Sequence, residues 1–218
     1  MTVNLRSARA TSTKANTQGD DLSQSQKDPI AAHLALSRDA LERATQAAGL
    51  IDTARKIADV IVSALRGGNK LLIAGNGGSA GDAQHIAAEI VGRYKKDRPA
   101  YAAIALTTDT SALTAIGNDY GFEQIFARQV EGLGQRGDVL LGMTTSGRSP
   151  NILAALKVAR LRGLVTIGFT GTKGASMAAS CDHLFMAPSD DTAVIQQIHL
   201  TFGHGICDVI EQTLMGGA

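Results

Sequence analysis

The chain has 218 residues, 44% of them apolar and 4% aromatic, with no tryptophan and a formal charge of +1. That is enough apolar material for one large domain or two small ones. A near-neutral chain gives no electrostatic case for nucleic acid, and few rings leave little for bases to stack on. No apolar run nears the roughly 20 residues that span a bilayer.

Residues 1–29 are polar and rich in Ser, Thr and Gln. They read as a disordered tail and lack the apolar segment of a secretory signal. Residues 30–218 read as a single domain with a helical extension at its N-terminal end. Ile30, Leu34, Leu41, Ala44, Ala48, Ile51, Ile57, Val60 and Leu65 recur at helical spacing, with Gly49 as the point where one helix gives way to a second. Then the pattern changes. Residues 70–75, 101–106, 138–143, 165–171 and 183–188 are short, nearly continuous apolar runs, as strands buried on both faces require. Helical patterns at 79–93, 110–131, 151–162, 174–180 and 191–214 lie between and after them. Strands alternating with helices predict an α/β fold, a doubly wound five-stranded parallel sheet of flavodoxin-like order, with ligands at the carboxyl ends of its strands. The two cysteines, Cys181 and Cys207, form no C-x-x-C pair, which points to buried thiols in a reduced, cytoplasmic setting.

Two of the predicted strand ends carry unusual loops. After the first strand, Gly75, Gly77 and Gly78 let the backbone approach a ligand, and Ser79 is placed to cap the helix that follows, in the same ligand loop. After the third, Thr144, Thr145, Ser146 and Ser149 crowd hydroxyls before another helix start. The first loop fits the loose dinucleotide pattern G-x-G-x-x-A but lacks an acid at the end of the second strand. The second approaches a nucleotide P-loop, with Arg148 where lysine belongs and no clean second acid for magnesium. A small phosphorylated ligand fits both loops better. The plainer alternative is that these hydroxyls only cap helices. His85 and Glu89, four residues apart, share a helix face directly after the first loop. That spacing suits a metal or a base with its neighbour.

The stretches GNGGSAGDAQHIAAEI, TTDTSALTAIGNDYGF, TSGRSPNI and DTAVIQQIHLTFGHGICDVIE together resemble the sedoheptulose-7-phosphate isomerases (phosphoheptose isomerases) of the sugar-isomerase (SIS) domain superfamily. The resemblance covers roughly residues 30–214 and four motifs in the right order. It implies an aldose–ketose isomerase making D-glycero-D-manno-heptose 7-phosphate. It implies sugar-phosphate contacts from Asn76, Gly77, Gly78, Asn118, Asp119, Thr144, Thr145, Ser146, Ser149 and Gln196. It further implies zinc held by His85, Glu89, Gln196 and His204, with Glu89 and His204 as the acid/base pair, in a homotetramer. Two other readings share much of this pattern: a tetrameric scaffold that binds a replication initiator, and an isomerase of an octose 8-phosphate. The chain departs from the family pattern at Val194 and Gln197, where Arg and Glu are common, and at Arg148, where Asn is.

Gln196 and His204 lie eight residues apart, about 12 Å along a straight helix. One ion about 2 Å from each ligand does not reach both. Either the helix breaks near Gly203 or the two side chains come from different subunits, and the second option, an active site at a subunit interface, is expected. His199 is expected to pack inside the protein, with His33 and His183 ordinary and partly exposed.

Overall fold

A computed structural model describes residues 28–216. The polar tail therefore lies almost wholly outside the described residues. The described residues divide into two units, 28–36 and 37–216, and the division falls inside the first helix. In the first unit, the Asp28 carboxylate accepts the Ile30 N–H as that helix begins.

Helix α1 (Pro29–Gln46) gives way to α2 (Ala48–Arg66) at Ala47, not at Gly49. Gly49 sits in the first turn of α2, where N–H groups have no intrahelical partner and glycine costs least. There follow β1 (Leu71–Gly75), α3 (Gly78–Val91), β2 (Ala103–Ala105), α4 (Thr110–Tyr120), α5 (Ala127–Leu133), β3 (Val139–Met143), α6 (Pro150–Arg162), β4 (Val165–Gly171), β5 (His183–Ala187) and α7 (Thr192–Met215). The helix expected over 110–131 is divided. Gly121, at φ +87°, turns the chain out of α4 into a short 3-10 turn before α5 begins. Residues 172–180 are 3-10, not α-helical.

All five strands are parallel, in the order β2-β1-β3-β4-β5, as expected. Period-2 alternation sends Leu71, Ile73, Val139, Leu141 and Met143 to one core, beneath α2, α3 and α7. Leu72, Ala74 and Leu140 go to the other, beneath α5 and α6. From β1 the chain runs first to one side and then to the other, so β1 and β3 are neighbours whose following loops diverge. That is the crevice where open α/β sheets bind ligands. Both cysteines are buried and free. Among the described residues no helix is long and apolar enough to cross a membrane.

Candidate active site

The loop after β1 turns at Gly77, whose φ of +55° is a conformation side chains resist. Gly77, not Ser79, is the N-cap of α3, and no side chain caps this helix. Ser79 is instead buried inside the first turn, its N–H given to the Asn76 carbonyl. Gly78 is glycine for a different reason. A Cβ there would come within 2.6 Å of the Gln196 carboxamide, so Gln196 of α7 lies directly over the glycine loop.

The loop after β3 is a small hydroxyl network. Thr144 Oγ1 lies 2.8 Å from Ser149 Oγ and 3.4 Å from Ser146 Oγ, and Arg148 N–H donates to Ser146 Oγ. Ser149 is the N-cap of α6 but makes no side-chain capping bond. Simple capping therefore does not account for the cluster. Gly147, at φ +66°, allows the turn, and a Cβ there would lie 2.5 Å from Gly174 Cα. Thr145, Ser146 and Arg148 line an open cleft of about 160 Å³ together with Lys173 and Asp190. The extra charge of Arg148 thus sits beside the hydroxyls, while Lys173 is paired with Asp190 at 2.9 Å.

Asn151 joins the two loops. Its carboxamide and that of Asn76 exchange hydrogen bonds in both directions, at 2.9 and 2.8 Å. Asn151 is 1% exposed and was missed from the sequence, because its partner lies 75 residues away. Asn118 and Asp119, at the end of α4, are exposed and bonded to each other.

The third part lies where α3 meets α7. His85 Nε2 is 3.2 Å from Glu89 Oε1 and 2.9 Å from His204 Nε2. One ligand atom from each of the three residues lies within 4.8 Å of the others. The side chains are partly open, His85 46% and Glu89 23% exposed. α7 runs unbroken through Gly203, whose missing Cβ lets Ile86 of α3 approach; a Cβ would meet Ile86 Cδ1 at 2.9 Å. One of the two options offered by the spacing argument, a break near Gly203, is thereby corrected. The helix does not break, and Glu89 and His204 meet within one chain. Gln196, two turns earlier on α7, serves the glycine loop. Asp82, one turn before His85, was also missed: its Oδ2 is buried without a hydrogen-bond partner among the described residues, and burial raises its pKa.

His199 is fully buried, its Nε2 3.1 Å from the Thr170 carbonyl. Burial pushes its imidazole down to about 4, so it packs as a neutral ring, as expected. His183 is partly exposed at the start of β5.

Two imidazoles and a carboxylate are the donor types of three-ligand zinc sites that keep a fourth position open, and they fit such an ion here. The carboxylate equally suits proton transfer at a carbon. The glycine and hydroxyl loops suit a phosphorylated polyol, and the trio, roughly 10–16 Å further along α3, suits moving protons.

If the hydroxyl loop holds that phosphate, Ser146→Ala combined with Ser149→Ala will raise KM for a phosphorylated sugar. Each lost bond to a charged group is worth about 1.5–3 kcal/mol, or roughly ten- to a hundredfold. Steady-state kinetics checks this, and unchanged KM and kcat would put the phosphate elsewhere.

Comparison with known proteins gives a consistent picture. The family model for the SIS domain matches residues 33–171. A phosphoheptose isomerase of Bradyrhizobium sp. (strain ORS 278) is 69% identical over 189 residues, 87% of this chain and 96% of that protein. One of Burkholderia pseudomallei (strain K96243) is 54% identical over 167 residues, 77% of this chain and 85% of that protein. Among solved structures, phosphoheptose isomerase GmhA from Neisseria gonorrhoeae superposes with a TM-score of 0.80 at 44% identity, over 86% of this chain and 99% of that one. A phosphoheptose isomerase from Francisella tularensis gives 0.82 at 38% identity, over 86% and 98%.

Proposed function

The chain belongs to the phosphoheptose isomerase family of SIS-domain proteins, and we infer from this that it converts D-sedoheptulose 7-phosphate to D-glycero-D-manno-heptose 7-phosphate, an early step in heptose biosynthesis. One arrangement supports the assignment of roles: a partly open Glu89 carboxylate beside two imidazoles, where α3 meets α7. Neither a replication-initiator scaffold nor an octose phosphate isomerase has a counterpart among these relatives.

The chemistry must take a proton from C1 of the ketose, beside the C2 carbonyl, and return one to C2. Glu89 is the base for the carbon. His204 moves the hydroxyl proton between O1 and O2 of the enediol, so that C2 becomes a carbinol and C1 the aldehyde. Thr144, Thr145, Ser146 and Ser149 hold the phosphate, and Arg148 adds charge there. Asn76, Gly77, Gly78, Ser79 and Gln196 hold the chain of hydroxyls, with Asn118 and Asp119 completing the set from α4. Zinc, one per subunit, is the cofactor of this reading, held by His85, Glu89 and His204, with Gln196, out of reach along the straight α7, contributed from a neighbouring subunit as the fourth residue. When bound it supplies a Lewis acid that polarises the carbonyl.

The same reading makes the protein a cytoplasmic homotetramer with its active sites at subunit contacts. Its support is an apolar groove between α2 and α7, lined by Ile51, Ala54, Phe202, Ile206 and Val209, which gives the helices a surface to bury. Incubating the pure, zinc-supplied protein with sedoheptulose 7-phosphate tests the function directly. A new aldose is expected by NMR or by coupled phosphorylation, and none from unphosphorylated sedoheptulose. No aldose at substrate concentrations in the millimolar range would overturn the assignment.

A further inference from the structure

The segment between α3 and β2 is held by a single carboxylate. Glu211 of α7 accepts hydrogen bonds from three successive backbone N–H groups, Tyr94, Lys95 and Lys96, at 3.0, 2.9 and 2.8 Å, and from Arg98 Nε at 3.0 Å. Both side chains of the Arg98–Glu211 pair are 1% exposed. Burial alone would raise the pKa of Glu211, but the three amides and Arg98 outweigh it and hold the carboxylate below its usual range. The Nη atoms of Arg98 donate to the carbonyls of Glu89, Ile90 and Pro99 at 2.7, 3.0 and 3.0 Å. A helix leaves its last carbonyls without partners, and a cation is favoured at that end. Here the carbonyl so closed includes that of Glu89 itself.

The other product of this anchor is a ring. Tyr94, whose N–H Glu211 holds, stacks on the His204 imidazole with centroids 5.6 Å apart and planes 19° from parallel. His85 meets the same imidazole edge-on at 4.9 Å. Lys95 Nζ lies 4.8 Å from the Tyr94 ring centre and is tied to Asp208 Oδ2 at 2.7 Å. A histidine's terminal torsion is otherwise a broad well. A proton shuttle needs a fixed one, since misplacement of about 1 Å costs roughly a hundredfold in rate.

We propose that Tyr94 is a positioning residue for the isomerisation: anchored by Glu211, its ring fixes the plane of His204, while Arg98 fixes the Glu89 carbonyl from the same anchor. This rests on Glu89 and His204 being the acid/base pair. A fully buried ion pair adds little net stability over an apolar one. Its use here is to register the end of α3 against α7.

The test compares Tyr94→Phe and Tyr94→Leu with the parent, reading kcat and KM on sedoheptulose 7-phosphate and zinc affinity by chelator competition. Tyr94→Phe keeps the stack and should stay within about twofold of the parent in all three. Tyr94→Leu should lose about tenfold or more in kcat with KM nearly unchanged, and hold zinc about tenfold less tightly, the scale at which supporting residues act. Should Tyr94→Leu fail to fold, Tyr94→Met refills the volume without a flat ring. Parent-like kcat and zinc affinity in the ring-less variant overturns the proposal. So does a rise in KM alone, which would place Tyr94 against the sugar, or a Tyr94→Phe variant as impaired as Tyr94→Leu. If the parent itself does not isomerise the sugar, the functional reading fails, and zinc affinity alone decides the role of Tyr94. A parent that neither turns over nor binds zinc overturns both.

Discussion

Glu89→Gln will fold as the parent does and lose roughly a hundred- to ten-thousandfold in turnover, the range general acid–base groups supply. The carboxamide keeps the size of the side chain and its place on α3, so melting should move little. What it removes is the only carboxylate in the trio with His85 and His204. Turnover within about threefold of the parent, with melting unchanged, would take the proton-abstracting role from Glu89. The geometry also decides a mixing experiment. Since Glu89 and His204 meet within one chain, Glu89→Gln and His204→Ala damage the same pocket. Mixed oligomers of the two should therefore recover no activity, the reverse of what a pair divided between subunits would give.

Asp138→Asn, though it keeps the size of the side chain, will be strongly destabilising. The Asp138 carboxylate is fully buried just before β3 and accepts bonds from Lys70 Nζ at 2.6 Å, Lys70 N at 3.0 Å and Gln135 N at 2.8 Å. It fastens the start of β1 to the start of β3, the two strands that flank the crevice. Removing one member of a buried pair costs about 3–5 kcal/mol. The value should fall at the low end, since Lys70 is 19% exposed and can turn to water. That corresponds to a fall in Tm of roughly 6–12 °C for a chain of this size. The effect carries a pH signature. Burial works to raise the pKa of Asp138, but Lys70 and the backbone amides overcome it and hold it below its ordinary value. The folded protein thus binds this proton less readily than the unfolded chain. Its contribution is complete above about pH 4, the unfolded value, and is lost as pH falls through the folded one. Asp182 and Glu211 shift in the same direction. Urea unfolding at pH 7 and at pH 3 should show the gap between parent and Asp138→Asn shrink. A gap that stays constant would mean the charge is not what Asp138 contributes.

The parts of the fold legible in the sequence are those written in local period. Strands buried on both faces leave continuous apolar runs, and β1, β3, β4 and β5 begin and end within a residue of the expected limits. Helix ends were less legible where geometry and not composition sets them. The apolar period of 110–131 continues past Gly121, yet the positive φ of that residue ends α4 there. Ser79 has the chemistry of a cap, but the chain turns two residues earlier at Gly77. Gly203 looked like a break because a glycine within a helix is costly; its reason lies across space, at Ile86. Asn151, Tyr94 and Arg98 share that difficulty. Each acts on a partner or through an anchor far away in the chain, and no local pattern marks a pairing of that kind.

The reciprocal amide pair of Asn76 and Asn151 also bears on how the protein ages. Asn76 precedes Gly77, and an asparagine before glycine is the sequence whose side chain is most easily attacked by the next backbone nitrogen, losing ammonia to leave a carboxylate. Asparagine is for that reason a heat-sensitive residue. Here both ends of the Asn76 carboxamide are occupied by Asn151, which ties the group down while the chain stays folded. A carboxylate at the same place would face the Asn151 oxygen as one acceptor against another on the side that now donates. The contact that joins the two loops thus also restrains this chemical change, and each brief unfolding frees Asn76 for a loss that refolding does not repair.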